Sequence, residues 1–148
     1  MAERTAVISC IHGNIEALEA VYADARAQNV DRVICLGDLV GYGPYPNEVI
    51  RFIQKNRIES IRGCWDEAIA AKNEDCGCKF ASQEDAELGA QAFAWTKKAL
   101  KASSVKYLKS LEFAFKLSAK AGGSSVLFVH GSPRSANEYL TESTHELV

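Results

Sequence analysis

The sequence predicts an α/β fold with parallel strands, and three observations carry that expectation. Four short apolar runs, Ala6-Val7-Ile8, Val33-Ile34-Cys35-Leu36, residues 58–61 and Val126-Leu127-Phe128-Val129, have the length and β-branched character of buried strands. The first three are separated by segments of helical spacing with short links, an order that favours parallel pairing through right-handed crossovers. Each run is followed closely by a polar cluster: Ser9-Cys10-Ile11-His12-Gly13-Asn14, Gly37-Asp38, Gly63-Cys64-Trp65-Asp66 and His130-Gly131-Ser132-Pro133. Metal-ligating residue types thus gather at the carboxyl ends of strands, the edge where open α/β sheets bind ligands.

The first strand is expected at residues 5–9. Asn14 can cap the helix that follows, with Glu16 in its first turn. Leu18, Val21, Tyr22 and Ala25 have the i, i+3, i+4, i+7 spacing of a core face. A second strand covers residues 32–36. Residues 37–46 hold three glycines and two prolines and read as a loop, with Pro46 suited to the entry of the next helix. That helix, residues 47–55, turns Val49, Ile50 and Ile53 inward, and a third strand follows at 58–61. Residues 73–79 are polar and glycine-containing, hence a loop. Ser82 and Asp85 have capping-box spacing ahead of a helix at 83–101, whose core stripe is expected to be Leu88, Ala92, Trp95 and Ala99, widened by Phe93 and Leu100. A short helix near 105–110, a strand at 112–117, a turn at 121–125 and a strand at 126–129 complete the reading. Residues 141–148 begin like a helix, with Ser143 and Glu146 in capping-box spacing, and stop after about one turn. That abrupt stop predicts a truncated chain, an interrupted reading frame or one part of a larger fold.

A chain of 148 residues suits a single domain, residues 1–148. With 17 basic and 19 acidic residues, charge gives no case for nucleic acid or an anionic membrane as partner. No apolar run is long enough to span a bilayer, and Met1-Ala2-Glu3-Arg4 leads straight into a strand without a signal-peptide pattern, so a cytoplasmic location is the default. Five cysteines, an odd count without a secretion signal, argue against a disulfide framework. Cys35, inside a strand, reads as a small buried hydrophobe. Cys76-Gly77-Cys78 reads as ordinary loop thiols, with soft-metal binding or redox cycling as the alternative: bridging across one residue is strained, and no second pair stands at zinc-finger spacing.

His12, Asp38 and His130 are the candidate ligands the residues themselves single out. Each has a plain structural alternative: a turn histidine bonded to backbone, an Asx turn, and a strand-end histidine satisfied by a neighbour. All three reach one sheet edge, and together they point to a shared metal site, with Cys10 and Cys64 in the same clusters.

These clusters resemble those of the calcineurin-like metallophosphoesterases, in the branch of small bacterial single-domain members. The pattern there is a strand ending in Asp-x-His-Gly-Asn, then Gly-Asp, then Gly-Asn-His-Asp or Gly-Asn-Trp-Asp, then His-Gly, and last Gly-His-x-His. Here it stands as Cys10-Ile11-His12-Gly13-Asn14, Gly37-Asp38, Gly63-Cys64-Trp65-Asp66 and His130-Gly131, with residues 36–46, 131–134 and 137–140 also matching. The resemblance implies a four-layer α/β/β/α sandwich, incomplete at its C-terminal end, because the chain contains no Gly-His-x-His; His145 does not replace it. It implies two divalent ions, of Mn, Fe, Zn, Ni or Mg, held by His12, Asp38 and His130 together with the positions of Cys10 and Cys64. His12 and Asp38 are then the catalytic candidates, and Asn14 and Arg134 the substrate-binding ones. The implied activity is hydrolysis of a phosphomonoester or phosphodiester by a metal-activated water, on a small substrate or a phosphoprotein.

Cys10 stands where the family has its first aspartate, Cys64 where it has asparagine, and Trp65 where many members carry a proton-donating histidine. Thiolate with imidazole suits Zn or Fe better than Mg or Mn. The altered set leaves several outcomes open: impaired turnover, a closed structural zinc site, a Cys10–Cys64 disulfide, one ion or none, and a domain that binds metal or phosphate without turnover. A fragment of the fold would expose apolar sheet and form homo-oligomers.

Overall fold

The computed structural model describes residues 3–118 and 125–144. Three strands, β1 (Thr5–Ile8), β2 (Arg32–Cys35) and β3 (Glu59–Ser60), form one sheet in the order β1-β2-β3. All pairs are parallel, with Thr5 opposite Arg32 and Ile34 opposite Glu59. The crossovers are α1 (Ile15–Ala27) and α2 (Pro46–Lys55). Asn14 caps α1 by accepting the Ala17 N–H at 3.0 Å, and Pro46 occupies the first turn of α2, where a missing N–H costs nothing. Ile61 extends the sheet through a parallel bridge to Glu112.

The rest comprises α3 (Cys64–Ala71), α4 (Gln83–Ala99), α5 (Ala102–Ser110) and an antiparallel pair, β4 (Ala114–Leu117) with β5 (Val126–Val129). The core joins Ile34 and Cys35 of β2, Val49, Ile50 and Ile53 of α2, Trp65 of α3, Phe93 of α4 and Leu108 of α5, all essentially inaccessible. Asn47 ties α2 to the α4–α5 junction: its Nδ2 donates to Ala99 O at 2.8 Å, and its Oδ1 accepts from Lys101 N and Ser104 Oγ. None of the described helices is long and apolar enough to cross a membrane.

The structure corrects four expectations. Residues 64–71, given no element above, form a helix of two turns entered from Gly63; the same stretch follows a strand so closely that the sequence reads only its polar start. In α4 the inward stripe is Gly89, Phe93 and Thr96, while Leu88 and Trp95 are exposed at 57% and 44%. Phe93 is drawn in because its ring packs on Trp65 at 5.4 Å between centroids, and Gly89 faces Phe80 so closely that a Cβ there would stand 2.4 Å from the ring. Both stripes have helical spacing, so sequence periodicity alone does not choose between them. Val21 of α1 is likewise exposed, although Leu18 and Ala25 are buried. The strand expected at 112–117 pairs only from Ala114 onward. The expected turn at 121–125 falls largely outside the described residues, as do His145 and the rest of 145–148.

Candidate metal centre

The turns after β1 and β2 are built in left-handed backbone. Cys10 (φ 54°), His12 (φ 48°) and Asp38 (φ 54°) all take positive φ, a conformation that costs a non-glycine residue on the order of 1 kcal/mol. Backbone hydrogen bonds hold them there: Cys10 N donates to Gly37 O at 3.0 Å, His12 N to Asp38 O at 2.9 Å and Gly13 N to Leu39 O at 2.9 Å. The two turns are thereby clamped side by side, which brings residues from separate strands to one point. Gly63 allows the third loop to close on them, since a Cβ there would lie 2.1 Å from Asp38 Oδ1.

Asp38 is the hub. It is 3% exposed, and its Oδ1 accepts the Trp65 N–H at 2.9 Å. Its Oδ2 lies 3.5 Å from His12 Nε2, 3.4 Å from His130 Nε2 and 3.4 Å from Cys64 Sγ. Each imidazole turns its other nitrogen to a backbone carbonyl, His12 Nδ1 to Val40 O at 3.0 Å and His130 Nδ1 to Leu36 O at 2.8 Å. A carbonyl only accepts, so Nδ1 carries hydrogen in both rings and Nε2 is presented to the shared centre. This is the arrangement in which an outer partner fixes the tautomer of a metal-ligating histidine.

Two ligand groups result, Cys10 with His12 and Asp38, and Asp38 with Cys64 and His130, the donor atoms of each lying within 4.8 Å of one another. Around a tetrahedral zinc ion, neighbouring N, O and S donors stand about 3.3–3.8 Å apart. The 3.4–3.5 Å spacings around Asp38 Oδ2 match that range, so these residues fit a metal ion.

The electrostatics agree. Burial pushes the Asp38 carboxyl up, but the hydrogen bond and charge of His130, the charge of His12 and the Trp65 N–H outweigh it and hold it below its ordinary value. Burial by itself lowers His130, yet the Asp38 hydrogen bond and charge, with the Leu36 carbonyl, raise it to about 9. In metal-free protein the His130 contribution is therefore complete below pH 6.5 and lost as pH rises through about 9. The Asp38 contribution is present above 3.8 and lost as pH falls below it. Denaturant unfolding in chelator is expected to show a loss of about 2 kcal/mol between pH 6 and 9. His130→Ala should flatten that limb, and an unchanged alkaline limb in the variant would count against the ion pair.

Beneath the hub, Asp66 is fully buried and accepts N–H groups from Leu39 at 3.0 Å, Val40 at 3.3 Å and Gly63 at 3.0 Å. Burial and the charge of Asp38 raise its carboxyl to about 6, against the pull of those three N–H groups. Asp66 thus fastens the Asp38 turn to the start of α3, the loop-orienting role its position invites.

The groups open into a cleft of about 420 Å³, whose walls include Tyr42, Trp65, Phe80, Tyr139, Lys79 and Cys78. Tyr42 packs edge-to-face against His12, with ring centroids 4.9 Å apart, and at a tilt against Trp65, 4.5 Å away. The expected ligands His12, Asp38, His130, Cys10 and Cys64 all line this cleft. Asn14 is instead occupied in capping α1, and Arg134 pairs with Glu138 at 2.5 Å over a neighbouring groove. Glu138 also accepts from Ser132 Oγ, which in turn accepts the Arg134 and Ser135 N–H groups, so this network shapes the turn after His130. All five cysteines are free thiols, and the thiol facing Cys64 is Cys78, 3.3 Å away, in place of the Cys10–Cys64 bridge considered above. Hydrogen bonding to Cys78, then burial, pushes the Cys64 thiol up; the same hydrogen bond lowers Cys78 to about 6. By sequence alone, Cys78 reads as a loop thiol apart from the site. The Cys76-Gly77-Cys78 spacing flags a thiol-rich segment, but nothing in it reports that the segment folds over the cleft.

The carboxyl edge of the parallel sheet carries Cys10, His12, Asp38 and Cys64, and His130 meets them from the end of β5 in the separate antiparallel pair; together they define an α/β domain with a candidate metal centre. The chain belongs to the calcineurin-like phosphoesterase superfamily, whose domain matches residues 4–147. It is 38% identical over 138 residues to an uncharacterized protein of Methanocaldococcus jannaschii, covering 91% of this chain and 53% of the relative. The crystal structure of a metallophosphoesterase from Sphaerobacter thermophilus is 34% identical with a TM-score of 0.67, covering 95% of this chain and 52% of that one. That of a hypothetical protein from Pyrococcus horikoshii is 24% identical with a TM-score of 0.74, covering 93% of this chain and 58% of that one, and shows likeness of fold. The calcineurin-like fold is therefore the fold of this chain, which spans about half the length of the relatives it matches. The superfamily is metal-dependent, and among the described residues the two ligand groups around Asp38 are suited to an ion.

Proposed function

We propose that this chain binds divalent metal at the Asp38-centred groups and serves metal-dependent hydrolysis of a phosphomonoester or phosphodiester. The observation that carries the reading is the position of Asp38 Oδ2, 3.4–3.5 Å from His12, His130 and Cys64 at once, in a chain of this superfamily. Asp38 would belong to both ligand groups, Cys10 and His12 to one, Cys64 and His130 to the other. Bound divalent ions supply a water of lowered pKa and neutralise charge on phosphoryl oxygens. His12 and His130 are held with Nε2 forward by Val40 and Leu36, so neither ring has to reorient. Trp65, 1% exposed, seals the inner wall and carries no proton to give near neutral pH, so the leaving oxygen takes its proton from solvent. Tyr42 and Tyr139, each more than half exposed, stand where the organic part of a small phosphoester or a phosphorylated side chain enters. Five free thiols suit a reducing, cytoplasmic setting.

Sulfur at two of five ligand positions favours Zn or Fe over Mg or Mn. The same sulfurs support a second reading, a domain that retains metal without turnover, because a zinc ion closed by four protein donors leaves no place for water. Metal analysis of purified protein with hydrolysis of an aryl phosphate ester across Mn, Ni and Zn separates the two. Turnover stimulated by any of these metals supports the phosphoesterase; firm metal retention without turnover supports the binding domain; absence of both overturns the proposal. Replacing both sulfurs with the family's own donors, Cys10→Asp with Cys64→Asn, is expected to shift preference from Zn toward Mn by at least about 10-fold. Equal metal preference before and after, read by competitive titration, would remove sulfur from the ligand set.

A further inference from the structure

We propose that Cys64 and Cys78 form an oxidisable dithiol, a modification site at which a hydroperoxide joins the two sulfurs and withdraws Cys64 from the Asp38–His130 ligand group. The loss of a ligand rests on the function proposed above; the dithiol itself does not.

The two sulfurs are 3.3 Å apart although the residues are 14 positions apart in the chain. A disulfide requires about 2.05 Å, so closing the bond moves the pair together by about 1.3 Å, within reach of side-chain rotation. Other pairings are less favourable. Cys76 and Cys78 are separated by one residue, a strained ring. Cys35 is enclosed within β2, and the sulfur of Cys10 faces Ser9 Oγ at 3.6 Å. Access is also arranged: Cys78 is half-buried on the wall of the open cleft, whereas Cys64 is 6% exposed behind it at the start of α3.

The chemistry balances with a hydroperoxide as oxidant. The Cys78 sulfur attacks the terminal peroxide oxygen, the O–O bond breaks, and Cys78 becomes a sulfenic acid while an alcohol departs. The Cys64 sulfur then attacks the Cys78 sulfur, the S–O bond breaks, and hydroxide leaves as water by taking up the Cys64 proton. That proton has an acceptor within reach, since Asp38 Oδ2 lies 3.4 Å from the Cys64 sulfur. Two thiols and one hydroperoxide give one disulfide, one alcohol and one water; the sulfurs lose the two electrons that the O–O bond gains. A disulfide sulfur is no longer a thiolate donor, so the oxidised centre keeps Asp38 and His130 without Cys64. Conversely, a metal held by Cys64 occupies the lone pair that the second step needs, so metal binding and oxidation oppose each other.

The test uses the full chain, stripped of metal by chelator and treated with hydrogen peroxide, followed by peptide mapping without reductant. The expected product is a cross-linked pair of peptides holding Cys64 and Cys78, two hydrogens lighter than their sum, with both thiols protected from alkylation while Cys10 still reacts. Zinc affinity should fall at least about 10-fold and return with dithiothreitol. Zinc added beforehand should slow the cross-link, and Cys78→Ser should abolish it. A cross-link between other cysteines, oxidation of Cys78 to sulfinic acid without a cross-link, or zinc affinity that is unmoved when the 64–78 bond forms would each overturn the proposal. Reduced protein that binds no zinc yet forms the 64–78 bond would defeat the metal reading and leave the dithiol standing.

Discussion

Asp38→Ala is expected to strip metal from the cleft and bring phosphoester hydrolysis down to the uncatalysed background. The reason is that one oxygen serves both ligand groups: Asp38 Oδ2 faces His12, His130 and Cys64 within 3.5 Å, and no other carboxylate belongs to either group. Losing an outer partner of a metal ligand commonly costs about 10–100-fold in affinity, so loss of the shared donor should cost on the order of 1,000-fold or more. Asp38→Asn keeps the shape and separates charge from volume. A readout independent of metal accompanies it: without the Asp38 charge, His130 loses what holds it near 9, and the alkaline decline in stability of the metal-free protein should disappear. Metal content by elemental analysis, turnover on an aryl phosphate and the pH profile together decide the matter. Full metal retention by Asp38→Ala would remove Asp38 from the centre.

Asp66→Ala carries the largest expected effect on stability. Its carboxylate is fully buried and serves three backbone N–H groups, those of Leu39, Val40 and Gly63. Truncation leaves all three without an acceptor, at about 1 kcal/mol or more each, and opens a cavity, for a loss of about 3–4 kcal/mol. A domain of this size has about 5–15 kcal/mol of stability, so the denaturation midpoint should move far down. Because Asp66 has no surface in the cleft, any loss of metal affinity in folded Asp66→Ala protein reports position alone: the Asp38 turn is no longer fastened to α3. A midpoint within experimental error of the parent would show that the three N–H groups find other partners.

The strand-end clusters were readable because they combine two strong local signals, an apolar β-branched run and a polar turn rich in glycine. That is why His12, Asp38 and His130 could be grouped into one site from sequence, and why β1, β2 and β5 fall where the runs predict; the single edge expected for all three is in fact two, because β5 pairs antiparallel with β4 apart from the β1-β2-β3 sheet and brings His130 to Asp38 from outside it. The helix α3 was not readable: its two turns follow directly on β3, and its inward residues, Cys64, Trp65, Asp66, Ala68 and Ile69, mix polar and apolar types on buried positions. The stripe of α4 was misplaced for a related reason. Leu88 and Trp95 have helical spacing as good as that of Gly89, Phe93 and Thr96, and only the ring of Trp65 against Phe93 selects the latter.

The sequence by itself determined the parallel scheme of the first three strands, the donor types and the strand ends that carry them, since strand, cap and turn preferences act over a few residues. Only the tertiary structure decided which donors share an atom, which nitrogen each imidazole presents, that three backbone N–H groups converge on Asp66, and that Cys78 meets Cys64 across 14 positions. Those outcomes follow from how separate loops pack against one another, and distances of a few ångströms between remote segments leave no local trace in the chain.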